Sequence, residues 1–224
     1  MNQTRSKMVD TGDPLFDNVH KILGQKNPEG LHKIIELATG DRDFLKEVLD
    51  GVLSEDETYR HNCYLVIKNI SKTIPMKLYS EWEYFVELLK SDNAFLQQIA
   101  VEIIADLTTV DEEEKFEEIA ELYCGYLDGP SITVARRIAA SAGLISQTKP
   151  NLIEHITKCL LNTEKTHHKN KDLIAFDAIE SFDAYFDQIE HREKIIRYIK
   201  RQLKSPHLKT QRRAEEFLVK HPLE

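Results

Sequence analysis

The amino-acid sequence predicts an all-α fold, an α-α superhelix (solenoid) of about six antiparallel helix pairs. Three observations support this prediction: apolar residues recur at helical spacing, short polar segments separate the apolar stretches, and similar units return at a nearly constant interval. The 224 residues include only eight glycines and seven prolines. That scarcity favours helices with short connections over a turn-rich β-sheet protein.

Helical spacing is clearest in three segments, EWEYFVELLK, QQIAVEIIADL and IIRYIKRQL. In each of them apolar residues stand three or four positions apart, which places them on one face of a helix. Polar segments that begin at Ser54, Ser91, Asp128 and Ser205 separate the predicted helices. Serine and aspartate suit these positions because their side-chain oxygens accept hydrogen bonds from the unpaired N–H groups of a helix start.

The repeat interval follows from aligning the units on a small or medium-sized residue in the second helix of each pair. The aligned residues are separated by 37, 38, 37 and 39 positions, and they are Cys63, Ala100, Ile138, Ala175 and Ala214. An interval of this length, with two helices per unit, is typical of helical solenoids. Sequence identity between the units is low, so the interval rests on the apolar pattern.

Two units, LLKSDNAFLQQIAVEIIADL and YLDGPSITVARRIAASAGLI, resemble HEAT repeats, and the resemblance extends over about residues 41–220. Members of the HEAT-repeat family typically carry a basic residue early in the second helix. Near that position this chain has Arg60, Gln97, Arg136, Lys171 and Arg212. The prolines that often bend the first helix in that family are missing, so armadillo-type and other α-α arrays are alternatives. The resemblance implies a curved surface, made mostly by second helices, that binds extended partners.

The repeat pattern predicts a single domain over residues 13–224, preceded by a disordered segment over residues 1–12. An atypical first pair over residues 13–40 is predicted to cap the array, because a terminal repeat needs a polar outer face. The repeats that follow are predicted at residues 41–77, 78–111, 112–149, 150–189 and 190–224.

Charge is distributed unevenly along the chain. The formal net charge is −8, but residues 192–213 hold nine basic residues and one acidic residue, so the rest of the chain carries −16. This stretch includes a basic C-terminal patch, formed by Arg197, Lys200, Arg201 and Lys204. The patch predicts either attraction of an anionic partner such as nucleic acid or a solvated terminal repeat whose cations favour helix ends.

An acidic stripe, formed by Asp177, Glu180, Asp183 and Asp187, recurs every three or four residues on one predicted helix. Residues at this spacing lie along one side of a helix. The stripe could meet a basic partner, but we expect it to pair with the neighbouring basic unit of the same chain. A ladder of arginine and aspartate between successive repeats would neutralise further charges in the same way.

Two further groups are interpreted as structural. His155 and Cys159 stand four residues apart, a spacing compatible with two metal ligands, but a zinc site needs three or four. Cys159 lies in the apolar segment ITKCLL, so we interpret it as a core residue and predict no metal site and no cofactor. Trp82, with Tyr79 and Tyr84 nearby, is interpreted as filling space between helix pairs rather than as an exposed stacking platform.

The sequence favours binding over catalysis, because nucleophile-elbow, P-loop, Rossmann and zinc-protease motifs are absent. We predict a non-enzymatic scaffold that binds another protein or a peptide on the concave face. The alternative is a nucleic-acid-binding protein that resembles the HEAT-like glycosylases of DNA-alkylation repair. The candidate concave-face residues, chosen by their position in the repeat, are Arg60, Gln97, Arg136, Arg137, Lys171, Arg212 and Arg213.

A cytoplasmic location is expected from three further observations. No apolar run approaches the roughly 18 residues that a membrane span needs, so no membrane partner is expected. The first residues lack the apolar core of a secretory signal. The three cysteines are widely separated and odd in number, which favours reduced thiols over a disulfide framework.

Overall fold

The computed structural model describes residues 14–26 and 30–222 of the chain. All regular secondary structure in these residues is helical, which confirms the predicted all-α class. The chain divides into two compact units, Met1–Thr73 and Ile74–Glu224. The segment predicted to be disordered, residues 1–12, lies outside the described residues.

The first unit contains four α-helices in its described residues. They are α1 (Pro14–Leu23), α2 (Leu31–Gly40), α3 (Arg42–Gly51) and α4 (Glu57–Thr73). Helix α4 packs against the other three. Its buried Asn62 donates from Nδ2 to the backbone carbonyls of Leu23 (2.7 Å) and Gln25 (2.8 Å). This side chain therefore fixes the end of α1 against α4.

The second unit begins with a short helix, α5 (Met76–Tyr79), and continues with successive helix pairs. The first helices of the pairs are α6 (Trp82–Leu89), α8 (Lys115–Gly125), α10 (Ile153–Asn162) and α12 (Arg192–Gln202). The second helices are α7 (Ala94–Leu107), α9 (Ile132–Thr148), α11 (Lys171–Tyr185) and α13 (Leu208–Lys220). The second helices pack in chain order, α7 on α9, α9 on α11 and α11 on α13, and so form one layer.

The polar segments before α4, α7 and α13 form the same hydrogen-bonded turn. In each turn a serine Oγ accepts a hydrogen bond from the backbone N–H two residues later. The carbonyl oxygen of that serine accepts another from the side chain six residues later, in the pairs Ser54–Arg60, Ser91–Gln97 and Ser205–Gln211. Local bonds of this kind favour turns and helix starts, which explains why the polar segments separate the helices.

The core of both units contains the residues on which the repeat interval was aligned. Cys63, Ala100, Ile138, Ala175 and Ala214 lie on α4, α7, α9, α11 and α13, and all five are buried. The interval therefore records a burial position that returns in each second helix. The predicted packing role of Trp82 is also confirmed, because its side chain is buried beside Tyr79.

Candidate functional site

The candidate site is the exposed side of the second-helix layer in the unit Ile74–Glu224. We call it the second-helix face, and it consists of the exposed positions of α7, α9, α11 and α13. On α9 the exposed and half-buried residues recur at intervals of four and three, at Thr133, Arg137, Ala140, Leu144 and Gln147. Most residues between them are buried, so this stripe is the side of α9 that a partner can contact.

Two adjacent arginines of α9 reach in opposite directions to the neighbouring second helices. Nη1 of Arg137 lies 2.8 Å from Oε1 of Glu102 on α7. Arg136 makes two contacts with Asp177 on α11, with Nε 2.7 Å from Oδ2 and Nη2 3.2 Å from Oδ1. A ladder of opposite charges, as the sequence suggests, therefore joins three successive second helices.

The two members of each pair differ in burial. The side chains of Glu102 and Asp177 are 7% and 9% exposed, whereas those of Arg137 and Arg136 are 53% and 39% exposed. Each carboxylate is enclosed, and each guanidinium presents its remaining N–H groups to solvent. The surface of α9 is therefore positive and offers hydrogen-bond donors at fixed positions.

The ladder also sets the protonation of its members. Burial raises the pKa of Asp177, and the guanidinium of Arg136 opposes that rise. The hydrogen bond to Asp177 in turn raises the pKa of Arg136, which stays charged. Removing Arg136 would leave a buried carboxyl group without its partner. Arg136 therefore supports the fold, and Arg137, which is more exposed, is the better candidate for contact with a ligand.

The acidic stripe of α11 is paired within the chain. Asp183 lies 2.8 Å from Nη2 of Arg213, 2.9 Å from Nζ of Lys220 and 2.6 Å from Nε2 of His221. Burial by itself would raise the pKa of Asp183, but these three partners outweigh burial and hold the pKa well below its ordinary value. This carboxylate is therefore ionised, and its charge is paired with cationic groups of the same chain.

The expected pairing with the C-terminal basic unit holds for three members of the stripe and is wrong for the fourth. Asp177 pairs with Arg136 of the preceding second helix instead. Glu180 and Asp187 pair with the basic unit over a longer distance than Asp183 does. Oε1 of Glu180 lies 3.8 Å from Nε of Arg213, and Oδ1 of Asp187 lies 3.8 Å from Nη2 of Arg192. These two contacts are weaker because exposed ion pairs gain little in water.

The predicted binding residues differ in their surroundings. Arg60 belongs to the first unit, where its Nη1 donates to the carbonyl of Ser54. Gln97 is buried and donates from Nε2 to the carbonyl of Ser91 at 2.8 Å, so its predicted place on the surface is corrected to a role in the turn. Lys171 is exposed, and its Nζ donates to the carbonyl of Glu164.

Arg212 and Arg213 lie next to each other on α13 but differ in surroundings. Arg212 is exposed, whereas Arg213 is half-buried against Asp183. The turn geometry makes Gln211, rather than Arg212, the counterpart of Gln97. A shift of one residue rotates a helical side chain by about 100°, which explains why residues chosen as equivalent from the sequence point in different directions.

The basic C-terminal patch lies on a first helix, α12, and just after it, not on a second helix. Arg201 makes a two-pronged contact with Glu164, with Nε 2.7 Å from Oε1 and Nη2 2.6 Å from Oε2. Arg197, Lys200 and Lys204 are exposed, and among the described residues none of them pairs with a carboxylate. The patch thus splits into one internally paired arginine and three accessible cations on or just after α12.

A groove that the sequence did not indicate lies between α10 and the start of α12. Its volume is about 450 Å³, and its apolar lining includes Ile153, Leu161 and Ile189. His191 and Lys194 line it from the side of α12. The sequence signal for this groove was limited to Leu161, an apolar residue of α10 that is half-buried rather than buried.

No protein-family model matches the chain, and no curated protein is detectably similar to it in sequence. Solved structures are similar in fold. A designed armadillo repeat protein, YIII(Dq)4CqI, is 19% identical with a TM-score of 0.52, over 90% of this chain and 98% of its own. Another, YIII(Dq.V1)4CPAF in complex with peptide (KR)4, is 15% identical with a TM-score of 0.53, over 90% and 98%.

An engineered protein, target OR366 of the Northeast Structural Genomics Consortium, is 15% identical with a TM-score of 0.53, over 91% of this chain and 96% of its own. These similarities confirm the predicted α-α solenoid and identify the fold as armadillo-like. They establish the fold and nothing more specific. None of the described helices has the length and apolar character that crossing a bilayer requires.

Proposed function

We propose that this protein is a non-enzymatic scaffold that binds an extended segment of another protein on its second-helix face. The observation that carries the proposal is the half-exposed Arg137, whose guanidinium is held in place by the buried Glu102. A side chain fixed in this way loses little conformational entropy on binding, which favours affinity. The fold adds support, since one designed protein of this fold is in complex with a peptide.

The surroundings of Arg137 suit an approaching peptide backbone. Ala140 is exposed one turn further along α9, and Ala184 is exposed on α11. Small side chains at these positions leave room for a chain to come close to the helices. Leu144 and Phe176 are half-buried nearby on the same helices, and they offer apolar contact area beside the charged group.

The charge of the face predicts the character of the peptide. At α9 the carboxylates are enclosed and the guanidiniums are exposed, so the partner should place a carboxylate or backbone carbonyls there. The designed protein with the (KR)4 peptide has a basic ligand. We expect the opposite preference at α9 of this chain, because two like charges would repel each other.

The test is fluorescence anisotropy with two labelled extended peptides of equal length, one with alternating glutamates and one with alternating lysines and arginines. We expect the acidic peptide to bind more tightly and Arg137→Ala to weaken its binding about tenfold, which corresponds to ~1.4 kcal/mol. The matched control is Arg197→Ala on α12, an exposed arginine outside the second-helix face. Equal losses in both variants, or tighter binding of the basic peptide, would contradict the proposal.

A second candidate function, nucleic-acid binding, is favoured by the three accessible cations Arg197, Lys200 and Lys204 of the basic C-terminal patch. Each phosphate that a cation neutralises releases a counterion, so log affinity should fall with log salt concentration at a slope of about −3. Lys200→Glu with Lys204→Glu should reduce that slope to about −1, measured by DNA-binding titrations between low and moderate salt. The exposed pair Lys72→Glu with Lys77→Glu is the control, and a slope that stays the same in the α12 variant argues against this function.

A further inference from the structure

The structure brings together three metal-ligating side chains that the sequence keeps apart. Cys124 lies near the end of α8, whereas His155 and Cys159 lie one turn apart on α10. One ligand atom from each of them lies within 4.8 Å of the other two. The sequence interpretation missed this group because the spacing of His155 and Cys159 supplied only two ligands. The third ligand comes from another helix pair.

One distance within the group matches that expected in a zinc site. Nε2 of His155 lies 3.7 Å from Sγ of Cys159. With Zn–S bonds of about 2.3 Å and Zn–N bonds of about 2.0 Å, tetrahedral geometry separates a sulfur ligand from a nitrogen ligand by about 3.5 Å. The two side chains are therefore already placed as neighbouring ligands of one ion. The two separations from Sγ of Cys124 do not exceed 4.8 Å, so an inward movement of this sulfur by about 1 Å brings it to ligand distance.

A candidate fourth ligand, a carboxylate oxygen, lies on the solvent side of the group. Oε2 of Glu121 is 3.7 Å from Nε2 of His155, and the Glu121 side chain is 94% exposed, so it is free to turn. Glu121 stands one turn before Cys124 on α8. Each of the two helices thus contributes a pair of ligands at a spacing of three or four residues, which places both members of a pair on one helix face.

The group of ligands lies between an apolar wall on one side and solvent on the other. Cys124 and Cys159 line an apolar space of about 10 Å³ together with Phe116 and Ile156. The sulfur atoms therefore face the core, and the side chain of His155, which is 31% exposed, faces outward. An ion can reach the group from solvent past Glu121 and His155, and the apolar wall behind the sulfurs shields it on the other side.

We propose that Cys124, His155 and Cys159 bind a zinc ion, with Glu121 as the fourth ligand, and that this ion links the first helices of two successive repeats. Thiolate and imidazole ligands in tetrahedral arrangement select zinc over magnesium and calcium, which prefer oxygen. All four ligands come from the protein, so the site is of the closed, structural kind. Metal bound only by the folded chain stabilises it by linkage.

The test is a Co²⁺ titration of the full chain, kept reduced with a phosphine. We expect near-ultraviolet thiolate-to-cobalt absorption and the visible bands of tetrahedral cobalt, saturating at one ion per chain and removed by Zn²⁺. His155→Ala and Cys159→Ser should each weaken Co²⁺ binding by more than the roughly 10–100-fold that loss of an outer-shell partner costs. Cys63→Ser, which changes the buried cysteine of the other unit, should leave the titration unchanged.

Absence of the charge-transfer absorption in the unaltered chain, or an unchanged affinity for Co²⁺ in Cys159→Ser, would overturn the proposal. A second measurement needs no variant and is therefore independent of folding defects. Zn²⁺ should slow the alkylation of Cys159 in the unaltered chain, followed by mass spectrometry of the peptides. Alkylation of Cys159 at the same rate with and without Zn²⁺ would equally refute the site.

Discussion

Asp111→Ala should lower the free energy of unfolding by about 3–5 kcal/mol, because it removes one partner of a buried ion pair. Oδ2 of Asp111 lies 2.8 Å from Nζ of Lys149, and the two side chains are 0% and 7% exposed. The same carboxylate accepts hydrogen bonds from the hydroxyl of Tyr79 and from the backbone N–H groups of Lys115 and Phe116 at the start of α8. The alanine variant would leave the enclosed ammonium group with Glu117, 3.1 Å away, as its remaining carboxylate partner, and would uncap the two N–H groups.

The penalty should depend on pH. Burial by itself would raise the pKa of Asp111, but Lys149, Tyr79 and the two backbone N–H groups outweigh burial and lower it. A carboxyl group with a lowered pKa in the folded state stabilises the fold at pH values above its unfolded pKa of about 3.9. That contribution declines as the pH falls through the folded pKa. The difference between the unaltered chain and Asp111→Ala should therefore shrink in acid.

Urea denaturation at neutral pH and below about pH 4 measures both effects. Asp187→Ala is the control, since that side chain is 90% exposed, and its effect should stay within about 0.5 kcal/mol. The double variant Asp111→Asn with Lys149→Met should cost less than the sum of the single changes, because each single change already removes the same ion pair. A loss below about 1 kcal/mol for Asp111→Ala would mean that water reaches the pair.

Gly143→Val should lower the free energy of unfolding by about 3 kcal/mol, because it overpacks a close contact between α9 and α11. A Cβ atom at Gly143 would lie 3.1 Å from Cβ of Ala184 and 3.2 Å from the backbone Cα of Ser181. Backbone atoms cannot move aside without shifting a helix. The hydroxyl of Ser181 also accepts a hydrogen bond from N–H of Gly143 and donates one to the carbonyl of Ala139, so separation of the helices would break both.

Thermal and urea unfolding of Gly143→Val can be compared with a glycine substitution that meets no obstacle. Gly125→Ala is that control, because nothing lies within 4 Å of a Cβ at Gly125 and its backbone is helical. It should raise the free energy of unfolding by about 0.5–1 kcal/mol through helix propensity and a less flexible unfolded chain. If Gly143→Val is as stable as the unaltered chain, α9 and α11 are not held at this distance.

The sequence predicted the helices, the positions where several of them begin, and the interval at which helix pairs recur. The three-and-four spacing of apolar residues predicted the helices, and the polar segments at Ser54, Ser91 and Ser205 predicted where helices begin. The return of a buried residue at Ala100, Ile138 and other aligned positions predicted the solenoid. These features depend on hydrogen bonds and burial within one helix or one turn, and therefore they are visible without knowledge of the fold.

The candidate site was only partly visible in the sequence. Arg137 was selected for its position in the repeat, but its exposed, fixed state depends on Glu102, which stands 35 positions earlier on another helix. Gln97 was selected by the same argument and is buried. Both residues follow the same rule of repeat position. They differ because Gln97 stands three positions before the aligned Ala100, whereas Arg137 stands one position before Ile138. Two residues of register rotate a side chain by about 200°.

Sequence alone thus determined that this protein is an all-α repeat array with charges suited to pairing between successive repeats. Only the tertiary structure decided which charges are enclosed, which remain accessible on the second-helix face, and that Cys124 joins His155 and Cys159. The physical reason is the distance along the chain between the residues that interact. Helices and turns form from neighbours within a few residues, whereas contacts such as Asp111 with Lys149 depend on how successive helices are rotated against each other.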